Sequence, residues 1–232
     1  QPRVAPASNE ASARAALPSG AQGPLRVAVL GDSMAHVFAI QLGILGRADG
    51  SLRVYRDAEA SSGLTSARPV DWPARARGLL DQWRPRMVVL VFGANDALDL
   101  REDRRVYRLG GAEWERRYGA RVAAMLDIAS GDGRQVLWVG MPVMRSAVFS
   151  ARMRAINAIV REQLRGRSRV SYVDAWQRFQ GAEGLFVERL PDAEGRSLVV
   201  RERDGVHYTH AGGRLLAIDV AATLRTLASA RR

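Results

Sequence analysis

The stretch from Val27 to Leu42 reads VAVLGDSMAHVFAIQL, a hydrophobic run that stops at Gly31, Asp32 and Ser33 before a helical pattern begins at once. One explanation is a helix cap: Asp32 or Ser33 satisfies the first free N–H groups, and Gly31 permits a tight turn. The other is a nucleophile held where a strand turns into a helix. A serine hydroxyl attacks poorly at neutral pH until a base takes its proton, so this second reading needs further residues. His207 is the natural base, and Asp204, three residues earlier in DGVH, can fold its carboxylate back onto the imidazole. Acyl transfer also needs donors converging on the developing oxyanion. The backbone N–H groups of Ser33 and Gly63 and the side-chain amide of Asn95 are the candidates. Gly63 lets a backbone approach a ligand closely, and an amide supplies two N–H donors where the adjacent Asp96 could only accept. Asp32, His36 and Arg145 are further candidates for contacting substrate. Each residue also has a plain structural alternative: a turn at Gly63, a cap or left-handed residue at Asn95, an Asp-Gly turn at 204–205, and structural roles for His207 and His210. Asp32, His36, Asp204 and His207 could be imagined around a metal, but neither H-E-x-x-H nor a cysteine set accompanies them. No phosphate-binding loop is present either, so the expectation is no metal and no cofactor.

Residues so far apart meet only if the fold collects them. LRVAVLG (25–31), SLRVYRDA (51–58), RMVVLVFG (86–93), RQVLWVG (134–140) and VSYVDA (170–175) read as strands. RMVVLVFG is an unbroken apolar block, the pattern of a strand covered on both faces. Between the strands lie helical patterns: residues 34–47, DWPARARGLLDQW (71–83) with Asp71 as cap and Pro73 in its first turn, a segment bearing Trp114, Tyr118, Val122, Met125 and Leu126, and one bearing Met153, Ile156, Asn157, Val160 and Leu164. Residues 97–111 read as a polar excursion, and residues 176–203 as irregular with a short hairpin around RSLVVRE (196–202). A helix over 211–227 closes the chain. This alternation predicts an α/β fold, a three-layer α/β/α sandwich on a mainly parallel sheet. The loops GDSMA, SSGLTS and GANDA would then leave the carboxyl ends of strands, where such sheets place their ligands.

The chain has 232 residues, 35 arginines, no lysine and no cysteine, with a net charge of +11. The length suits one sizeable core. Without cysteine there is no thiol nucleophile and no disulfide framework, which is compatible with an oxidising periplasm. Arginines are densest at Arg101, Arg104, Arg105 and Arg108 and at Arg161, Arg165, Arg167 and Arg169. No zinc finger, stacking-aromatic motif or basic-region heptad goes with them, so no specific nucleic-acid partner is expected. Arg101, Arg104, Arg105 and Arg145 could make the mouth of a site positive, suited to an anionic glycan, a phospholipid headgroup or an acidic acyl chain. Residues 1–24 are rich in Ala, Ser, Pro and Gly and read as a flexible linker of the kind that follows a signal sequence or membrane anchor, with the catalytic domain over 25–232. No stretch is long and apolar enough to span a bilayer.

The ordered set of Ser33 in GDSM, Gly63 in SSGL, Asn95 in GAND and His207 in DGVH resembles the SGNH, or GDSL-type, hydrolases, with Asp204 at the place of that family's catalytic aspartate. The likeness runs from about Leu25 to the final helix. It is strongest to a bacterial periplasmic branch, through the tryptophan-bearing segment GGAEWERRYGARV and the loop Pro142-Val143-Met144-Arg145. GDSM carries methionine where leucine is commoner. The resemblance implies a flavodoxin-like five-stranded sheet of order 2-1-3-4-5 and hydrolysis of carboxylic esters or thioesters, including deacetylation of cell-envelope glycans. Some relatives transfer acyl groups instead. The resulting expectation is a metal-independent serine esterase, periplasmic or otherwise extracytoplasmic, with the triad Ser33, Asp204 and His207 and an oxyanion hole of Ser33, Gly63 and Asn95. Its substrates would be small O-acyl esters, acetyl or other short acyl, or an acylated glycan. An O-acyltransferase using the same triad and a non-catalytic glycan-binding module are the alternatives. Trp176, Phe179 and Phe186 could wall the pocket, although core packing suits at least two of them better.

Overall fold

A computed structural model describes residues 23–65, 69–102 and 104–229. Most of the proposed linker, residues 1–22, lies outside the described residues, as does Ser66 of the SSGLTS loop. Five parallel strands form one sheet: β1 (Leu25–Gly31), β2 (Leu52–Ala58), β3 (Met87–Val91), β6 (Gln135–Val139) and β7 (Val170–Val173), in the order β2-β1-β3-β6-β7. Counting only these five gives the 2-1-3-4-5 order that the resemblance implies. The register pairs Val29 with Val89 and Leu30 with Leu90, so the two most apolar strands sit side by side at the centre. Val27 to Leu30 and Val88 to Leu90 are completely buried, the outcome of covering both faces of a parallel sheet with helices.

The helices are α1 (Ser33–Ala48), α2 (Trp72–Trp83), α3 (Ala112–Ser130), α4 (Ala147–Leu164) and α6 (His210–Ser229). Helix α1 packs on α6, and α3 packs on both α2 and α4, giving the α/β/α sandwich. The inward stripes are those the sequence spacing predicts: Trp114, Tyr118, Val122, Met125 and Leu126 on α3, and Met153, Ile156, Asn157 and Val160 on α4, are all buried. Asp71 caps α2 by accepting the Ala74 N–H at 3.1 Å, with proline in the first turn.

Three features add detail to the sequence reading. The polar excursion over 97–111 contains an antiparallel hairpin, β4 (Leu100–Glu102) with β5 (Arg105–Tyr107). The hairpin expected around RSLVVRE is present: β9 (Ser197–Val199) lies within it and pairs with β8 (Arg189–Pro191) just upstream. A five-residue helix, α5 (Ala175–Phe179), follows β7 with Asp174 as its cap. No described helix is long and apolar enough to cross a membrane.

Candidate active site

GDSM supplies a helix cap and, directly after it, a serine at the strand-to-helix turn. Asp32 is the cap of α1, its Oδ1 accepting the Met34 N–H at 2.8 Å, and Ser33 is the first residue of that helix. Capping by the aspartate leaves the serine hydroxyl free. His207 Nε2 lies 2.9 Å from Ser33 Oγ, and His207 Nδ1 lies 2.6 Å from Asp204 Oδ2. The carboxylate can only accept, so the neutral ring carries its hydrogen on Nδ1 and turns the Nε2 lone pair toward the serine hydroxyl. The other carboxylate oxygen, Asp204 Oδ1, accepts the backbone N–H groups of Val206 at 2.7 Å and His207 at 3.0 Å. Burial pushes the Asp204 carboxyl up, but the bonds from the imidazole and the two N–H groups outweigh it and hold it down to about 2. This is the arrangement that activates a serine for attack on an acyl carbon.

The turn bearing His207 is braced from below. Gly205 has φ +72°, and a Cβ there would lie 2.4 Å from the Cβ of Arg145, so the position needs glycine for both its conformation and its packing. Arg201, at the start of the turn, is completely buried. Its guanidinium donates to the carbonyls of Val143 at 2.7 Å and Val206 at 2.6 Å and lies 5.3 Å from the ring centres of both Phe186 and Tyr208. A buried cation is costly unless hydrogen-bonded; here it ties the His207 turn to the loop after β6. Arg145 adds an outer brace, donating to the Arg203 carbonyl at 2.6 Å and approaching Glu188 at 3.6 Å. Its guanidinium is thus tied to the protein on one side while its side chain stays about half exposed. Nothing in a single sequence marks Arg201 among 35 arginines; only its packing does.

On the opposite side, the two remaining loops pack against buried carboxyls. Gly63 is buried, and a Cβ there would come within 2.3 Å of Asp96 Oδ1. Asp96 accepts from the Thr65 N–H at 2.9 Å and from the Tyr118 hydroxyl at 3.1 Å. Burial raises its carboxyl pKa, with these bonds opposing the rise. Ser62 donates to the Glu59 carbonyl at 2.7 Å and accepts the Trp72 indole N–H at 2.9 Å, while Arg121 donates to the Leu64 carbonyl at 2.7 Å. The Gly63 loop is thus held by α2, α3 and the loop after β3. Asn95 Nδ2 is buried without a hydrogen-bond partner among the described residues. A buried amide donor without a partner is costly in a resting fold, and a donor left unspent is what an oxygen developing negative charge would call on.

Asp32 is fully buried and belongs to the support of the site, not to a substrate-facing wall, contrary to the sequence expectation. Burial lifts its carboxyl to about 7, opposed by the Met34 N–H and aided by the charge of Asp96. The folded value lies above the 3.8 of an ordinary aspartate, so between these values the folded protein binds more protons than the unfolded chain. Stability from this group is therefore full below about pH 4 and is lost as pH rises through about 7. Asp32→Asn keeps the cap and removes the proton. Urea unfolding at a series of pH values is expected to show wild type losing stability relative to Asp32→Asn over that interval; parallel curves would refute the assignment.

His36 is exposed on α1, three residues past Ser33. His210 begins α6 with Nδ1 3.3 Å from Gln41 Nε2, outside the Ser33–His207 line. Of the three aromatic residues proposed for the pocket wall, Phe179 is buried against Tyr208, with ring centres 4.7 Å apart. Trp176 is covered by Arg154 at 4.9 Å, and Phe186 lies between Arg145 and Arg201. All three are engaged in packing.

Among solved structures the chain is similar to a GDSL-like lipase from Bacteroides thetaiotaomicron, with 16% identity, a TM-score of 0.59 and coverage of 88% of each chain. It is also similar to a carbohydrate acetylesterase family member from Sinorhizobium meliloti, with 13% identity, a TM-score of 0.60 and coverage of 88% of this chain and 98% of that one. The catalytic domain of peptidoglycan O-acetyltransferase A from Streptococcus pneumoniae is similar too, with 15% identity, a TM-score of 0.55 and coverage of 89% and 96%. No curated protein matches at the level of sequence. A family described as "Protein of unknown function (DUF459)" matches residues 26–223. With that match spanning nearly all of the sheet and its helices, the chain belongs to the DUF459 family, and its fold is that of the SGNH/GDSL hydrolases and acyltransferases.

Proposed function

We propose that this protein is a metal-independent serine esterase that removes short acyl groups, acetyl in the first instance, from an acylated glycan of the cell envelope. The observation that carries the reading is the continuous line from Asp204 through His207 to Ser33 Oγ, with spacings of 2.6 Å and 2.9 Å. Ser33 Oγ attacks the acyl carbon as its proton passes to His207 Nε2, and Asp204 stabilises the imidazolium that forms. The oxyanion is received by the N–H groups of Ser33 and Gly63 and by the Asn95 amide. Return of the proton to the departing alcohol leaves an acyl-enzyme, which water then hydrolyses with His207 as base. The catalytic domain in this reading is residues 25–232, preceded by the linker of residues 1–24, and the location is extracytoplasmic.

The second reading, an O-acyltransferase, is favoured by the likeness to the peptidoglycan O-acetyltransferase domain. The two reactions share every step up to the acyl-enzyme and divide on whether water or a sugar hydroxyl accepts the group. Incubating wild type and Ser33→Ala with acetylated oligosaccharides, with and without unacylated acceptors, separates them by mass spectrometry. Free acetate alone is the expected product; Ser33-dependent acylation of the acceptor would move the assignment to transfer.

Asn95→Ala tests the oxyanion donor. It is expected to lower kcat by about 10²–10³ while leaving KM close to wild type, because the amide is called on when charge develops on the substrate oxygen. A raised KM with unchanged kcat, measured on p-nitrophenyl acetate, would instead place Asn95 in ground-state binding.

A further inference from the structure

A groove of about 450 Å³ opens on the sheet edge that carries the triad, lined by Ala97, Leu98, Asp99, Arg101, Leu109 and Arg152. Ala97 follows Asn95 by two residues, so the groove begins within about 7 Å of the proposed oxyanion donor along the chain. Its wall is of two kinds. Leu98 is 61% exposed, one of few large apolar side chains so open to water among the described residues, and Leu109 is half-buried beside it. Arg101 and Arg152 are exposed, and neither forms an ion pair with a carboxylate among the described residues. Arg152 is steered into the groove by a long contact from its Nη1 to the Ala97 carbonyl at 3.4 Å.

Asp99 is the one acid in this lining, and its charge is already answered. It accepts the Leu109 N–H at 2.9 Å and the Arg108 guanidinium at 2.7 Å, and these bonds, with a smaller contribution from Arg101, hold its carboxyl below the ordinary range. The groove therefore presents net positive charge beside apolar surface. The hairpin β4–β5 that carries Arg101 is itself fixed to α3: Glu102 receives both Arg117 and Arg121. The cation thus stands on an anchored element.

We infer that this groove selects esters bearing a negative charge, a carboxylate or phosphate, separated from the ester carbonyl by a short apolar segment. The inference rests on the esterase reading for its substrate and adds which substrates are preferred. The apolar segment lies along Leu98 and Leu109, and the anion meets Arg101 and Arg152. Arginine forks make charge-assisted bonds to such groups. A neutral ester of the same length gains only the apolar contact.

Two matched ester pairs test this. Mono-p-nitrophenyl adipate against p-nitrophenyl hexanoate places the charge on the acyl side; 4-acetoxybenzoate against 4-acetoxybenzamide places it on the alcohol side. In wild type, KM for the anionic member of one pair is expected to be about tenfold below that of its neutral partner. Arg101→Glu with Arg152→Glu is expected to abolish that preference and leave the neutral ester unchanged. The pair that responds identifies the side of the ester that enters the groove. Equal KM values within both pairs, or a preference that survives the double charge reversal, would overturn the inference while leaving Ser33-dependent hydrolysis standing. Calorimetric titration of Ser33→Ala with the same four esters supplies the binding arm. Charge-selective binding lost on combining Ser33→Ala with the two reversals supports the groove even if wild type turns over none of the esters, an outcome that would count against the esterase reading alone. Equal binding of charged and neutral members would sink it independently of catalysis.

Discussion

Ser33→Ala is expected to leave the protein folded and to reduce its turnover of p-nitrophenyl acetate by about 10⁴–10⁶. The fold should stand because the serine does no capping. Asp32 takes that role with a 2.8 Å bond to the Met34 N–H, and alanine is a better helix residue than serine. The side chain is also only half-buried, so its loss opens no core cavity. The rate should collapse because no other hydroxyl is bonded to His207 among the described residues. Without the oxygen no acyl-enzyme forms, and the proposed Gly63 and Asn95 donors can only assist direct attack by water. The measurement pairs thermal unfolding with initial rates on repurified protein. Unchanged rates at an unchanged melting temperature would refute the serine mechanism; a shifted melting temperature would refute the assignment of the cap to Asp32.

What could be read along the chain follows from what local patterns encode. Strands β1 and β3 are legible because a strand covered on both faces is a continuous apolar run, and Val27–Leu30 and Met87–Val91 are such runs. Helix α3 is legible because its buried residues recur at helical spacing. The hairpin β4–β5 is not: strands of three residues are too short to alternate visibly, and the contacts that anchor them come from Arg117 and Arg121 on a later helix. The same division runs through the site. Ser33, Gly63, Asn95, Asp204 and His207 stand out by residue type and by falling in loops at one edge of the sheet. Their supports do not. Asp96 behind Gly63, Tyr118 behind Asp96, and Arg201 beneath the His207 turn are an acid, an aromatic and an arginine in a chain full of such residues. Their roles exist only once packing has decided which side chains face inward. Asp32 was legible as a cap and was also given a substrate contact; its complete burial leaves only the first.

His207→Ala and His210→Ala are expected to differ by orders of magnitude, with His207→Ala close to inactive and His210→Ala close to wild type. The two histidines are three residues apart, but the chain turns into α6 between them. His207 has a carboxylate at 2.6 Å on one ring nitrogen and the serine at 2.9 Å on the other; His210 has Gln41 at 3.3 Å. Only the first can take a proton from Ser33 and be steadied as it does so. Asp204→Asn carries the same reasoning one residue further. The amide can offer an N–H where an acceptor is needed, favouring the wrong tautomer of the ring, and kcat is expected to fall about 10⁴-fold with the fold intact. The pH profile supplies an internal check. Asp204 is held near 2 and so stays ionised throughout any practical assay range. Any rise of kcat/KM with pH on a neutral ester therefore does not report Asp204. The bond that lowers the Asp204 value is also a small source of stability, present above the ordinary 3.8 of aspartate and lost as pH falls through about 2. If His210→Ala is the inactive variant and His207→Ala turns over normally, the base is misassigned; if Asp204→Asn turns over like wild type, the carboxylate does not orient the ring.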